Sequence, residues 1–361
     1  MQDKKIKVAI IGIGNCASTM VQGMFYYDKF KDNGDDAPGI MNWDLGGYTP
    51  ADVTVVAAFD VDRRKIGLDV TEAIFAGENN AYRHDCELYP LGVPVLMGPV
   101  LDGVGDHTKD RFQPADLPPV DVGKELIKSG ADMALCFLPT GSDEASDYYA
   151  DQAINVAKIG WLSGMPSKVA KNPKFAEAAK KNKCPIVGDD VKSQLGGTIT
   201  HRALIDLMNN RGITIGRTYQ VNYAGNGDFA NMVDDKTHRL DKKHVSKEAG
   251  VTAFLKKGTM SAGAGFVENM EDRKTCVMHF DSYNFGGAPV GVKLILEVED
   301  SPNFAGTVIE AVRYMKIAKD RGIGGVLPTV SAFCMKSPPE QIHDTEAIEL
   351  LKAFIKGENN G

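Results

Sequence analysis

The sequence predicts an α/β protein whose first half holds a parallel sheet and whose later part is an α+β unit with an antiparallel sheet. In the first half, the apolar runs IKVAIIG, VTVVAAFDVD, DMALCFLP and CPIVGDD alternate with helical patterns, which is typical of a parallel sheet. After about Arg217 the pattern changes, and over residues 290–298 apolar and polar side chains alternate. This period of two indicates antiparallel strands with one covered face.

Length and charge limit the possible functions. The 361 residues provide enough chain for two domains. Lys and Arg total 41 against 48 Asp and Glu, so a net charge of −7 gives no basic field for nucleic acid or anionic membrane. The six cysteines form no CxxC pair, which favours reduced thiols. With no apparent signal peptide or membrane span, we expect a cytoplasmic protein.

A glycine turn follows the first strand. In GIGNCA, residues 12–17, Gly12 permits a tight turn and Gly14 lets the backbone approach a pyrophosphate, with Ala17 as the tolerated residue at the sixth position. An amphipathic helix follows, and its N-terminus would face the phosphates. The second strand ends at Asp60, whose carboxylate would hold ribose hydroxyls and repel a 2′-phosphate. The turn therefore predicts a Rossmann domain that binds NAD; a turn that serves packing alone is the other interpretation.

The spacing between the glycine turn and Asp60 is unusual. Asp60 lies much further beyond Gly14 than the roughly 20 residues that are common for the ribose-binding acid. Residues 28–52 are rich in Gly, Asp and Asn and contain Pro38 and Pro50. This composition predicts a surface excursion between the first helix and the second strand.

The last part of the chain is predicted to be helical. Ser301 as N-cap and Pro302 in the first turn would open a long helix that ends near residues 321–322. An amphipathic helix over residues 345–356 follows, and we expect it to pack against the first domain.

Several segments occur together in a characteristic order. They are GIGNCASTMVQG, AAFDVD, LPTGS, GDDVKSQLGGTITHR, NYAGNGDF, EDRKTCVMHF, EDSPNFAG, IAKDRGIGG and MKSPPEQ. With them the chain resembles the myo-inositol-phosphate synthase family, particularly its shorter prokaryotic branch. The resemblance implies an NAD-dependent isomerising cyclase: glucose 6-phosphate is oxidised at C5, enolised, closed by aldol attack of C6 on C1, and reduced again to 1D-myo-inositol 3-phosphate.

The same resemblance implies the domain organisation and the oligomer. Residues 1–200 together with 307–361 would form the NAD-binding domain, and residues 201–306 the catalytic and oligomerisation domain. A homotetramer is expected, assembled through the second sheet, whose outer face needs cover. The predicted partners are therefore a small sugar phosphate and further copies of the chain.

The residues that match essential lysines of the family are Lys192, Lys243 and Lys336. From the sequence alone, a lysine is usually a solvated surface charge. Lys192 and Lys336 each follow an apolar, strand-like run beside a turn, where parallel sheets place their sites. The family resemblance makes Lys336 the candidate for proton exchange with the C5 hydroxyl.

Two acids complete the predicted catalytic set. Asp190 would orient a lysine, although a helix N-cap explains an acid there equally well. Asp272 matches a family acid that holds a lysine charged or relays its proton; a surface ion pair with Arg273 or Lys274 is the alternative.

Binding residues are assigned in two groups. Ser193, Gln194, Gly196 and Gly197 open a helix whose N–H groups would take the substrate phosphate, since a lysine of the eukaryotic relatives is lacking here. The resemblance assigns the cofactor to Gly12, Gly14, Asn15, Cys16, Ala17, Asp60, Asn79, Pro139, Thr140, Ser142, Asp189 and Asp300.

Some features leave the function open. Ser163 stands where the family usually has asparagine and Phe304 where the prokaryotic branch often has serine, so a related cyclase for another sugar phosphate is an alternative. A conventional NAD-dependent dehydrogenase and a nucleotide-sensing protein are others. His201 and His279 belong to no metal-spacing motif and are interpreted as structural. A cation has been associated with some family members, and the sequence leaves its presence here undecided.

Overall fold

The computed structural model describes residues 4–104, 108, 110–233, 248 and 250–361. The first sheet is parallel and has the strand order β11-β6-β5-β4-β1-β2-β3. Its strands are β1 (Ile6–Ile11), β2 (Val53–Asp60), β3 (Val95–Met97), β4 (Met133–Cys136), β5 (Gly160–Ser163), β6 (Pro185–Val187) and β11 (Gly325–Val326). The predicted parallel sheet is confirmed.

Helices cover this sheet and join it to the rest of the chain. They are α1 (Asn15–Asp28), α2 (Val70–Ala73), α3 (Val122–Ser129), α4 (Asp143–Asp151), α5 (Pro173–Asn182), α6 (Gly197–Asn210), α7 (Gly227–Val233), α8 (Asp300–Asp320), α9 (Pro328–Cys334) and α10 (Asp344–Lys356). A π-helical segment, Gln152–Ala157, continues α4. None of the helices in the described part of the chain is long and apolar enough to cross a membrane.

The strand order creates a crevice at the centre of the sheet. The chain runs outward from β1 through β2 to β3, and then returns to β4 on the other side of β1. Connections diverge at such a switch point, so the carboxyl ends of β1 and β4 leave an open groove where ligands bind in this fold class.

The predicted excursion between α1 and β2 is present. It contains short 3-10 turns at Gly34–Asp36 and Pro50–Asp52 and an isolated β-bridge between Leu45 and Tyr48. The guanidinium of Arg313 on α8 donates to the carbonyl of Asn42 at 2.6 Å and of Trp43 at 3.0 Å. A buried cation of the long helix thus holds the excursion in place.

The second sheet contains β7 (Thr214–Ala224), β8 (Thr259–Phe266), β9 (Arg273–Tyr283) and β10 (Pro289–Glu299), in the order β10-β9-β7-β8. The prediction of an antiparallel sheet is wrong in one respect: β8 pairs parallel with β7. The chain passes through α7 before β8 begins, and a connection of that length permits a parallel neighbour. The β9–β10 pair has a short connection and is antiparallel.

One face of the second sheet packs against α6. Ile205 and Met208 of the helix share a buried cluster with Met278 and Phe280 of β9. On the opposite face, Ile295 is 68% exposed. The alternation predicted over residues 290–298 therefore separates a covered face from an open one.

Two local predictions at the end of the chain are wrong. The long helix begins at Asp300 with Glu299 as its N-cap, because the Ser301 hydroxyl instead donates to Oδ1 of Asp272 at 2.9 Å. The apolar run before Lys336, interpreted as strand-like, is helix α9, whose first residue Pro328 is favoured at that position.

The predicted domain boundaries fall inside helices. The boundary at 200/201 lies in α6 and that at 306/307 lies in α8. After α8 the chain returns to the first sheet through β11, which pairs with β6. The long helix therefore connects the two sheets.

Candidate active site

A cleft opens at the carboxyl edge of the parallel sheet, and both sheets contribute to its walls. One wall is the glycine turn with the end of β2; the other comes from the β6–α6 connection, Lys336 after α9, the second sheet and the start of α8. Polar and charged residues of the lining include Asn15, Asp60, Lys65, Asn79, Asp190, Ser193, Asn226, Asp228, Lys274, Asp300, Ser301 and Lys336.

Gly12 and Gly14 of the turn meet different structural requirements. Gly12 has φ +88°, and a Cβ there would lie 2.9 Å from the carbonyl oxygen of Phe137. A Cβ on Gly14, the N-cap of α1, would meet no atom within 4 Å. The backbone at Gly14 is therefore open to the cleft, as the approach of a pyrophosphate to a helix N-terminus requires.

The peptide between these glycines is held from both sides. The N–H of Ile13 donates to Oδ2 of Asp60 at 2.7 Å, and its carbonyl accepts from Nζ of Lys65 at 2.8 Å and Nδ2 of Asn79 at 3.1 Å. Lys65 is buried and its amine lies 3.9 Å from Asp60. Sequence reasoning missed this lysine, although DRRK directly after the acidic strand end was a usable signal.

Lys336 and Asp190 form an ion pair in the other wall of the cleft. The Nζ of Lys336 donates to Oδ1 of Asp190 at 2.7 Å, and the Lys336 side chain is 12% exposed. Asp190 follows β6, and Lys336 follows α9, so two distant segments supply the pair. A lysine and a carboxylate at this distance can exchange a proton with a bound hydroxyl group.

Asp272 lies beneath the cleft rather than in its surface. Its carboxylate accepts from the Ser301 hydroxyl, from Nδ2 of Asn15 at 3.1 Å and from Nδ2 of Asn226 at 3.2 Å. Burial, and then the neighbouring Asp300 carboxylate, raise the pKa of Asp272 to about 7. Asp272 thus joins the glycine-turn side of the cleft to the second sheet.

Lys274 supplies a second cation to the cleft. Its Nζ donates to Oδ1 of Asp300 at 2.7 Å. The surface ion pair considered between Lys274 and Asp272 does not form. The alternation of β9 was the missed signal, since it places Lys274 on the same face as the buried Cys276 and Met278.

The structure directs the Lys192 amine away from this cleft. Its Nζ donates to the carbonyl of Ala332 at 3.0 Å and to the carboxylate of Asp344. Burial, reinforced by the nearby Arg202 cation, lowers the pKa of Lys192 to about 8. Its neighbours Val191 and Ser193 line the cleft, but in the described part of the chain Lys192 itself does not. Lys243, the third predicted lysine, lies outside the described residues.

Three residues assigned to the cofactor have partners within the protein. The Thr140 hydroxyl donates to Asp228 at 2.7 Å, and the Ser142 hydroxyl donates to the Pro139 carbonyl at 2.6 Å. Oδ1 of Asp189 accepts from Ser167, and burial raises the pKa of Asp189 to about 7. Pro139 lies in the lining of the cleft, whereas Thr140, Ser142 and Asp189 do not.

The four residues assigned to the substrate phosphate are separated. Ser193 lines the cleft, whereas the Gln194 side chain turns away and donates to the Gly39 carbonyl at 2.8 Å. Gly196 is the N-cap of α6. Gly197 is the first helical residue and packs so closely on the second sheet that a Cβ would lie 2.5 Å from Oε1 of Gln220.

The two departures from the family pattern occupy different positions. Phe304 lines the cleft and packs edge-on against Phe137, with ring centroids 5.4 Å apart. Ser163 is buried at the end of β5, where its hydroxyl accepts from Nε1 of Trp161 at 2.8 Å. Of the two, Phe304 is the one in position to contact a substrate.

His201 and His279 both take part in hydrogen bonds within the protein. Thr218 donates its hydroxyl hydrogen to the His279 carbonyl, so Nε2 of His201, 2.8 Å away, must be the donor to Thr218. Burial lowers the pKa of His201 to about 4. Within the residues that the structure describes, no group of three His, Cys, Asp or Glu side chains could hold a metal ion.

The fold and the cleft together define a Rossmann-like α/β protein in which a second sheet helps to line the cleft at the carboxyl edge of the parallel sheet. A family model described as myo-inositol-1-phosphate synthase matches residues 196–301. The chain is 44% identical to the inositol-3-phosphate synthase of Mycolicibacterium smegmatis, with 98% of each chain covered. It therefore belongs to the inositol-3-phosphate synthase family and is an enzyme, which confirms the resemblance.

Two solved structures are similar along nearly the whole chain. The crystal structure of Ari2 has a TM-score of 0.79 at 31% identity, covering 98% of this chain and 99% of its own. Inositol-3-phosphate synthase from Caenorhabditis elegans has a TM-score of 0.78 at 16% identity, covering 97% of this chain and 85% of its own. At that identity the second comparison shows the fold alone.

Proposed function

We propose that this enzyme converts glucose 6-phosphate to 1D-myo-inositol 3-phosphate, with NAD bound throughout the turnover. The observation that carries the proposal is the position of the Lys336–Asp190 pair, which lines the same cleft as the glycine turn. A hydride acceptor bound at the turn and a proton acceptor at the pair would then act on the same alcohol. The names of the similar enzymes support the substrate and product.

The glycine-turn wall fits NAD. Gly14 leaves room for a pyrophosphate, which the N–H groups that begin α1 would bind. Asp60 accepts the N–H groups of Ile13, Val61 and Asp62 and lines the cleft, where its remaining acceptor capacity suits a ribose hydroxyl. When bound, NAD accepts a hydride from C5 of the sugar and later returns it.

The Lys336–Asp190 pair moves the proton of the C5 hydroxyl. Lys336 first releases its ammonium proton to solvent; as the C5–H bond breaks, the neutral amine takes the O–H proton, and the adjacent Asp190 carboxylate stabilises the ammonium ion that forms. The C5 ketone makes the hydrogens on C6 acidic. Transfer of one C6 proton to solvent gives the enolate that closes the ring, and solvent returns one proton when the C1 oxygen is protonated.

Ring closure and reduction require cations near oxygen atoms that gain charge. The enolate carbon C6 attacks the aldehyde carbon C1, and the C1 oxygen takes a proton as the new C–C bond forms. Lys274, held by Asp300 in the cleft wall, is positioned to stabilise such an oxyanion. Lys336 then returns its proton to the C5 oxygen as C5 is reduced, so the overall reaction is an isomerisation.

The two other predicted lysines and the predicted phosphate site have different parts in the proposal. Lys243, which matches an essential lysine of the family, is kept as a proposed catalytic residue. For Lys192, the contacts with Ala332 and Asp344 support a structural contribution to the Lys336 segment. Ser193 and the N-terminus of α6 are the proposed phosphate site.

Phe304 supports a second candidate on the same scaffold. An aromatic ring in the cleft wall reduces the room and the polarity available around the substrate. A related cyclase for another sugar phosphate would use the same Lys336–Asp190 pair. The two candidates differ in substrate and not in mechanism.

We further propose a cytoplasmic homotetramer that assembles through the outer face of the second sheet. There Ile295 pairs with Val277, which pairs with Val221, in one apolar row across three strands. A row of this kind on an open sheet face favours burial against another copy. Sedimentation that gives a monomer at micromolar concentration would contradict this assembly.

The decisive experiment incubates the purified enzyme with glucose 6-phosphate and a catalytic amount of NAD, then identifies the product by NMR. We expect inositol 3-phosphate in large excess over the cofactor. NADH accumulating in proportion to substrate would instead indicate a conventional dehydrogenase. Turnover of another sugar phosphate in preference to this one would favour the related cyclase.

A further inference from the structure

The segment between α9 and α10 carries Lys336, and its backbone is fixed on both sides. The Lys336 N–H donates to the Asp190 carbonyl at 2.6 Å, and the Lys336 carbonyl accepts from Nε2 of Gln341 at 2.8 Å. The first bond joins the segment to the β6–α6 connection. The second depends on how the Gln341 carboxamide is oriented.

Arg202 on α6 sets that orientation. Its Nη2 donates to Oε1 of Gln341 at 2.6 Å, so the NH2 group of the carboxamide must turn toward the Lys336 carbonyl. The guanidinium is 1% exposed and lies over the Phe254 ring, 4.3 Å from its centroid. Its Nε also donates to the Gly250 carbonyl, so the cation has little freedom to move.

A shared carboxylate completes this network. Nη1 of Arg202 lies 3.4 Å from Asp344, the first residue of α10, and Lys192 donates to the same carboxylate. Lys192 also binds Ala332 in α9. The two cations therefore hold the helices before and after Lys336, while Gln341 holds Lys336 itself.

We propose that Gln341, oriented by Arg202, is a positioning residue that sets the place of Lys336 in the cleft, an inference that rests on the proposed function. None of the network atoms has to touch the sugar or the cofactor. Their effect reaches the reaction through the main chain of Lys336, whose side chain must stay beside Asp190 and within reach of a hydroxyl group. Misplacement of a reacting group by about 1 Å can cost roughly a hundredfold in rate.

A purely structural network predicts a different result. If Gln341 only neutralises a donor of Arg202, any acceptor in its place preserves activity. If it positions Lys336, the donor to the Lys336 carbonyl is also needed. Glutamate separates these cases, because its carboxylate accepts from Arg202 but cannot donate to a carbonyl.

The test compares Gln341→Met, Gln341→Glu and the neighbouring control Glu340→Ala, whose side chain is exposed. We expect kcat for the sugar phosphate to fall roughly 10- to 100-fold in both Gln341 variants, with KM and the Kd for NAD changed less than about twofold. Glu340→Ala should keep the wild-type kcat. Wild-type kcat in Gln341→Met, or recovery of kcat in Gln341→Glu, would overturn the proposal.

An activity-independent measurement keeps this test separate from the proposed function. The acylation rate of Lys336 relative to the exposed Lys352 can be followed by mass spectrometry in all four proteins without substrate. We expect faster labelling of Lys336 in both Gln341 variants and no change in Glu340→Ala. Unchanged labelling of Lys336 in the Gln341 variants would refute the positioning role. If Lys336 is labelled faster in these variants but the wild type does not turn over glucose 6-phosphate, only the proposed function is refuted.

Discussion

The two walls of the cleft are built in different ways. Residues 12–17 make most of the glycine-turn wall, and neighbouring side chains such as Asp60 and Lys65 hold its central peptide. The lysine wall takes Asp190, Lys274 and Lys336 from three separated segments. A local wall can be interpreted from a short motif, whereas a dispersed one depends on how the whole chain folds.

This difference also separates binding from chemistry. The glycine-turn wall contributes backbone N–H groups and open space, which suit a cofactor held through many turnovers. The lysine wall contributes side chains whose charge can change during the reaction. Changes in the first wall should therefore alter NAD affinity, and changes in the second should alter the rate.

The largest effect is expected from Lys336→Met, which keeps much of the side-chain stem and removes the amine. Loss of the proton acceptor for the C5 hydroxyl should lower kcat by about 100- to 10,000-fold. NAD affinity, measured by calorimetry, should stay within about twofold of wild type. Lys352→Met on the exposed face of α10 is the matched control and should keep full activity.

The next effect distinguishes the two glycines of the turn. Gly14→Ala should fold normally but weaken NAD binding about 10- to 100-fold, because the methyl group displaces the pyrophosphate and costs a charge-assisted hydrogen bond. Gly12→Ala should unfold at lower temperature, since it forces a positive φ and a contact with the Phe137 carbonyl. Equal melting temperatures for the two variants would contradict this assignment.

A smaller effect is expected from Lys65→Met. Removal of the amine leaves the Ile13 carbonyl without one donor and Asp60 without its neighbouring cation, beside the negative pyrophosphate. NAD affinity should fall about tenfold, or ~1.4 kcal/mol, while kcat at saturating NAD stays close to wild type. The exposed Arg63 supplies the control through Arg63→Met. A drop in kcat without a change in affinity would assign Lys65 to the chemistry instead.

The smallest effect concerns pH and stability. Because burial raises the pKa of Asp272 to about 7, the folded state binds a proton there that the unfolded chain releases near pH 4. This acid therefore makes folding less favourable as pH rises from about 4 to 7. Asp272→Asn should show a flatter dependence of melting temperature on pH over that range. An identical slope for both proteins would mean that Asp272 does not titrate as proposed.

Much of the fold follows from local patterns in the sequence. The alternating apolar runs predict the parallel sheet, and GIGNCA predicts the strand, turn and helix in order. The parallel pairing of β8 was missed, because pairing direction depends on the connection through α7 and not on the strand itself. Likewise, an apolar run of the length found before Lys336 fits a buried strand or a short helix equally well.

The site was predictable only in part for the same reason. Asp60 could be proposed from the neighbouring strand and glycine turn, and Lys336 from the family resemblance; both lie in the cleft. The direction of the Lys192 side chain depends on Asp344, which is far away in the sequence. Lys65 and Lys274 gain their meaning from partners, Ile13 and Asp300, that only the folded chain brings to them.

We propose that one cleft oxidises and then reduces the same sugar with a cofactor that stays bound. Single-turnover absorbance of NADH, with enzyme and NAD in excess over glucose 6-phosphate, tests it most directly. We predict a transient rise that decays as inositol 3-phosphate forms, and no rise in Lys336→Met. A rise that persists after the sugar is consumed, or wild-type kinetics in Lys336→Met, would contradict the account.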